Sequence, residues 1–167
     1  MGEALRAGEA PLGDVFTWLS ALYFRGKLTY AHAFAPRATY VMAPGLGLMP
    51  AAARIGVPEL RAMAAIEIES DDFAAPLRRD AAGLRHRGPV VLLGSIATGK
   101  YIDTLLDVFG ARLVFPAAFV GRGDMSRGGL LLRAARAKEE LEYAPVMGAV
   151  RRGKRPPKLP RLARVAT

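Results

Sequence analysis

The chain has 167 residues, 51% hydrophobic and 23% charged, with a formal net charge of +9, enough for one domain with a real core. It contains no cysteine, which excludes disulfides, thiol catalysis and cysteine-ligated zinc, and its two histidines, His32 and His86, are too widely spaced for a short metal motif. No apolar run reaches the ~18 residues that span a bilayer, and Met1 to Arg6 lacks the basic-then-apolar order of a secretory signal. A cytoplasmic protein without membrane contact or cofactor is therefore expected, and no motif bears on oligomeric state.

The charge is unevenly placed. Residues 151–167 hold seven Lys or Arg and no acid, leaving +2 on the first 150 residues. Three prolines, Pro156, Pro157 and Pro160, oppose a regular helix there. The expected division is a flexible N-terminus over 1–11, one α/β domain over 12–150, and a disordered basic tail over 151–167. Such a tail can bind phosphates by releasing counterions, without reading sequence.

In chain order, Asp14 is placed to cap an amphipathic helix carrying Val15, Phe16, Trp18, Leu19, Leu22 and Tyr23. Gly26 ends or kinks that helix, and the helical face resumes through Leu28, Tyr30 and Phe34 up to Pro36. Thr39 to Met42 reads as a short buried strand, followed by a tight loop, Pro44 to Gly47. Val57-Pro58-Glu59-Leu60 opens a short helix, and Ile66 to Glu69 alternates like an edge strand or an extended connection. Asp71 or Asp72 caps a helix burying Ala75, Leu77, Ala81 and Leu84.

Val90 to Leu93 is apolar without alternation, as in a strand covered on both faces. A helix follows through Ile102, Leu105, Leu106 and Phe109, capped by Gly110, and Arg112 to Phe115 forms the next strand. These units predict an α/β fold with a mostly parallel central sheet and helices on both faces. Leu130 to Ala137 fits either a helix or one arm of a C-terminal hairpin turning at Lys138-Glu139, and the hairpin is slightly favoured.

Two loops carry the chemistry-bearing residues. Gly94-Ser95-Ile96-Ala97-Thr98-Gly99-Lys100 follows a strand, precedes a helix and fits G-x-x-x-x-G-K, the first part of a phosphate-cradling loop. Glycines there let backbone amides converge on an anion, and Lys100 can meet it. Tyr101 departs from the pattern, since triphosphate hydrolysis places a Ser or Thr on magnesium at that position. The second loop, Gly121 to Gly129, carries Arg122, Asp124, Ser126 and Arg127. The two arginines can pair with phosphate or carboxylate, and Asp124 can act as an acid–base group. In Tyr23-Phe24-Arg25-Gly26-Lys27 the aromatics and cations suit base stacking beside phosphate contacts, or core rings with snorkelling cations.

Ala21 to Leu28, Tyr40 to Leu48, Val91 to Gly94 with Tyr101, and Pro116 to Gly129 together resemble uncharacterised bacterial proteins with a uracil-DNA glycosylase-like fold, and more distantly the peroxide-resistance family. The resemblance implies an α/β fold and contact with nucleic acid or nucleotides. It does not extend to a water-activating Asp-Pro motif, because Ala43-Pro44-Gly45 lacks the acid. The expected function is binding of a nucleotide or nucleic-acid phosphate group at Gly94, Ser95, Thr98, Gly99, Lys100 and Tyr101, aided by Arg122, Ser126 and Arg127. The alternatives are a hydrolase or glycosylase-like enzyme using Asp124, and a non-catalytic interaction protein.

Overall fold

The computed structural model describes residues 1–97 and 99–160, with the backbone alone for Ala21 and Lys100. The chain runs from helix α1 (Gly2–Arg6) through strand β1 (Ala10–Pro11) into the long helix α2 (Leu12–Phe34). Strands β2 (Tyr40–Ala43), β3 (Gly47–Pro50) and β4 (Arg54–Ile55) follow, then helices α3 (Val57–Ala64) and α4 (Asp71–Gly83). The second half comprises β5 (Val90–Val91), α5 (Lys100–Phe109), β6 (Leu113–Pro116), α6 (Asp124–Ala137) and β7 (Tyr143–Pro145).

The fold is mixed α/β, but its sheets are small and mixed rather than mostly parallel. Strand β6 pairs in parallel with β5 and antiparallel with β7. Strands β2 and β3 form an antiparallel hairpin, and β1 pairs antiparallel with β4. The apolar run Val90 to Leu93 is a strand only over Val90–Val91, because the backbone turns away once Leu92 N–H has bonded to Val114 O at 2.8 Å. The segment Ile66 to Glu69 is a connection between helices and forms no strand.

Gly26 does not end α2, which continues for 23 residues. The glycine is used from outside the helix: a Cβ on Gly26 would stand 2.7 Å from Gly128 O on α6. The reverse also holds, since a Cβ on Gly128 would stand 2.9 Å from Leu22 O and Tyr23 Cα. Two facing glycines let the α2 and α6 backbones approach closer than side chains allow. This contact also decides the ambiguous stretch Leu130 to Ala137, which lies in α6 and is no hairpin arm. Its helix ends at Lys138 in the left-handed region (φ 57°), and the antiparallel partner of β7 is β6.

Two helix starts differ from expectation. Pro11 precedes α2 and leaves Asp14 in the first turn, where its charge complements the helix dipole without capping it. Ser70, and not Asp71 or Asp72, caps α4, its Oγ accepting from Phe73 N–H at 3.3 Å. The buried face of α4 is Phe73, Leu77 and Ala81, leaving Ala75 exposed and Leu84 half-buried.

The main core gathers Tyr30, Phe73, Leu77, Ile102, Phe109, Leu113, Phe115, Phe119 and Leu131 around β6. A smaller cluster of Leu12, Val15, Val41, Ile55 and Met63 lies under the start of α2. A polar chain ties α2 to the C-terminal strand: Leu141 N–H donates to Tyr30 Oη (2.9 Å), the Tyr30 and Tyr143 hydroxyls meet at 2.6 Å, and Tyr143 donates to Glu140 Oε1 (2.9 Å). After β7, residues 151–160 pass along Val120, Gly121 and α6 as an extended strap. The last part of the basic tail and Thr98 lie outside the described residues. No helix among the described residues is long and apolar enough to cross a membrane.

Candidate functional site

Helix α5 begins after Gly99, whose own conformation is helical (φ −60°, ψ −50°). Tyr101, on the first turn of α5, folds back so that its hydroxyl donates to Ser95 O at 3.0 Å. A Cβ on Gly94 would meet that hydroxyl at 2.5 Å and the ring carbon Cζ at 3.2 Å. The tyrosine therefore fills the space that the glycine leaves. Ser95 Oγ accepts from Ala97 N–H at 3.3 Å, which uses the hydroxyl inside the loop.

Over the same helix start, Asp103 Oδ2 would lie 3.1 Å from a Cβ on Gly99, and its carboxylate pairs with Arg151 at 3.6 Å. A negative side chain already occupies the place where the helix dipole would attract an anion. Thr98 and the side chain of Lys100 lie outside the described residues.

The second loop leads into α6, and its residues divide between two surroundings. Arg122 donates to Ala118 O (2.9 Å), Ser126 Oγ (3.2 Å) and Pro157 O (3.5 Å), so Arg122 and Ser126 belong with the strap. Arg127 is buried, 8% exposed, and both Nε and one terminal nitrogen donate to Phe119 O at 3.4 Å. Its other terminal nitrogen reaches Asp124 at 3.4 Å, and the Asp124 side chain is 67% exposed.

Helix α2 brings two further residues to Arg127. The Tyr23 hydroxyl donates to Leu93 O at 3.2 Å, linking α2 to the Gly94 loop. Burial pushes that phenol up to about 12, against the pull of the neighbouring Arg127 guanidinium. Lys27 stands one turn later, with Nζ 4.0 Å from the Tyr23 ring centroid and 5.8 Å from that of Phe24. Burial pulls Lys27 down to about 8, with Asp124 opposing the shift and Arg127 adding to it. Tyr101 is also raised by burial, and it responds to both Arg127 and Asp124.

One cluster thus joins Tyr23 and Lys27 of α2, Tyr101 of α5, and Asp124 and Arg127 of α6 beside the Gly94 loop. It carries two cations and one exposed carboxylate. Among the described residues no carboxylate lies within ion-pair distance of Lys27. The aromatic face compensates part of the lost hydration, but a desolvated ammonium beside a guanidinium still favours an anion.

Tyr23 and Lys27 were recognisable as an aromatic–cation pair, yet nothing in their spacing pointed to Arg127, which lies 100 positions later in the chain. The facing glycines Gly26 and Gly128 supply that connection.

Two concavities are found among the described residues, and neither is lined by a residue of this cluster. One, of about 330 Å³ beside β6 and β7, is lined by Phe115, Val120, Met147 and Val150 among others and contains no ionisable side chain. The other, of about 310 Å³, lies between α6 and the strap and is strongly basic. Compared with known proteins, the chain matches no family model, and no curated protein or solved structure is significantly similar to it.

Proposed function

We propose that the chain binds a nucleotide or nucleic-acid phosphate group where α2, α6 and the Gly94 loop meet. The observation that carries this reading is the half-buried Lys27 ammonium, without a carboxylate partner among the described residues and next to the buried Arg127. A phosphate oxygen at Lys27 would restore the solvation that burial removes, and Arg127 would add to the attraction. Tyr23 and Tyr101 supply aromatic walls, and the Gly94 loop forms the side of the site rather than its phosphate cradle.

A catalytic role for Asp124 is less well supported. Its carboxylate is two-thirds exposed and tied to Arg127, so it holds the guanidinium in place instead of facing a buried reacting atom.

Calorimetric titration with inorganic phosphate, a nucleoside monophosphate and the matching nucleoside tests the proposal. The two phosphates are expected to bind at pH 7 and the nucleoside to fail. Lys27→Met should weaken phosphate binding at least tenfold, and binding by the natural chain should decline as pH rises past about 8, where free Lys27 loses its proton. Equal affinity for nucleoside and nucleotide, or full binding by Lys27→Met, would refute the site.

A further inference from the structure

A second and independent feature lies between α6 and the strap of residues 151–160. The groove there, about 310 Å³, is lined by Leu22, Met125, Arg122, Arg133, Arg155 and Lys158 among others, and no acidic residue among the described ones lines it. Two of its arginines hold the strap by its carbonyls: Arg122 bonds Pro157 O at 3.5 Å, and Arg133 bonds Pro160 O. The Nε of Arg133 is buried with no hydrogen-bond partner among the described residues, which leaves a cationic donor unsatisfied.

Large apolar side chains are exposed near the groove, at its rim and one helical turn away. Trp18 is 66% exposed and Met125 67%, although both are large hydrophobic residues. Trp18 stands one turn before the groove residue Leu22, and residues four apart share a helix face. An exposed indole one helical turn from a groove lined by four cations combines the two elements of single-strand recognition. Its flat face accepts an unpaired base of any identity, while the cations follow the phosphates.

We propose that this groove binds single-stranded nucleic acid, with a base stacked on Trp18 and phosphates carried by Arg122, Arg133, Arg155 and Lys158. A duplex keeps its bases stacked inside and offers Trp18 no face. An acidic peptide satisfies the cations but leaves the indole without a partner, so charge and aromaticity together favour the nucleic acid. The proposal does not rest on the Lys27 site, none of whose residues lines the groove.

Trp18 is the only tryptophan in the chain, so its fluorescence reports this surface directly. Titration of the full chain with a 20-nucleotide oligo-dT at low salt should quench that emission. With about four phosphates neutralised, log affinity should fall against log salt with a slope of about −3. Trp18→Ala should weaken binding about tenfold by anisotropy of a labelled oligonucleotide, while Trp18→Phe retains most of it. Arg133→Ala and Arg155→Ala should each flatten the salt slope by about 0.7.

Phosphate titration by Trp18→Ala should remain unchanged, so failure of the groove is read separately from failure of the Lys27 site. The groove proposal is overturned if oligo-dT does not bind, if a duplex or polyglutamate binds as well, or if Trp18→Ala binds like the natural chain.

Discussion

The segment Val90 to Tyr101 and the crossing of α2 over α6 both use glycine to bring elements together, but for opposite ends. At Gly94 the space is taken by the chain's own Tyr101, and Asp103 stands over the start of α5. At Gly26 and Gly128 the space is taken by backbone, and the closeness delivers Lys27 and Arg127 to one place, with the exposed Asp124 as their neighbouring carboxylate. The first segment has the more suggestive motif, whereas the second holds two cations against one exposed carboxylate. A glycine pattern is informative about approach, and only the neighbouring side chains decide whether a ligand or the protein itself is approached.

The sharpest way to break this comparison is to put a methyl group into the helix crossing. In Gly26→Ala the new Cβ meets the Gly128 carbonyl oxygen at 2.7 Å and its Cα at 2.9 Å, and backbone atoms cannot rotate aside. The helices must separate. A loss of about 3 kcal/mol in urea unfolding is expected, at the upper end of overpacking costs and despite alanine's better helix propensity. Gly83→Ala on α4 is the matched control, because nothing lies within 4 Å of its added Cβ, and a change within about 1 kcal/mol is expected. A loss below 1 kcal/mol for Gly26→Ala would show that the crossing is not tight.

Next in size is the stability cost of Lys27. Its ammonium is harder to keep in the fold than in the unfolded chain, so the unfolded state binds more protons between about pH 8 and the ordinary lysine value of 10.5. The penalty is fully present below about pH 8 and disappears as pH rises toward 10.5. Lys27→Met should therefore stabilise the fold at pH 7 by roughly 2 kcal/mol, and its advantage should shrink by pH 9.5. Measurement stops there because the buried Tyr23 phenol, at about 12, begins to oppose folding once unfolded tyrosine ionises above pH 10. Added phosphate should stabilise the natural chain and leave Lys27→Met unmoved. A destabilised Lys27→Met at pH 7 would mean that the lysine serves packing alone.

Much of this architecture is legible in the sequence because local signals suffice for it. The spacing of Val15 to Tyr23 and of Leu28 to Phe34 as a helical face, the proline-bounded strand near Tyr40 to Ala43, and Gly110 as the stop of α5 each depend on a few adjacent residues. What escaped depends on distant partners. Leu130-Leu131-Leu132 has no period of its own, and only the contact of α6 with α2 selects helix. Trp18 reads as core by type, yet no element among the described residues covers it. Strand β3 was hidden because Gly47 and Pro50 are turn-like residues, and its pairing to β2 exists only once Gly45 and Gly47 adopt positive φ. The sheet remains small for a related reason: an apolar run such as Val90 to Leu93 announces burial, but pairing length is set by the neighbouring strand.

The mildest test concerns the loop that resembled a phosphate cradle. If Gly94 exists to admit Tyr101, the two positions must be coupled. Tyr101→Phe removes the bond to Ser95 O and should cost about 1 kcal/mol. Gly94→Ala must push the tyrosine hydroxyl from a 2.5 Å approach, at a cost of 1 to 2 kcal/mol. With the hydroxyl absent, the alanine methyl loses its nearest obstacle, although the ring still limits the space at 3.2 Å. The double variant should then be less destabilised than the sum of the two, by at least about 0.5 kcal/mol in a denaturant cycle. Strict additivity would separate the glycine from the tyrosine and return the Gly94 loop to consideration as a ligand contact. Coupling would assign the glycine to internal packing and leave Lys27 as the cation with the stronger need for a partner.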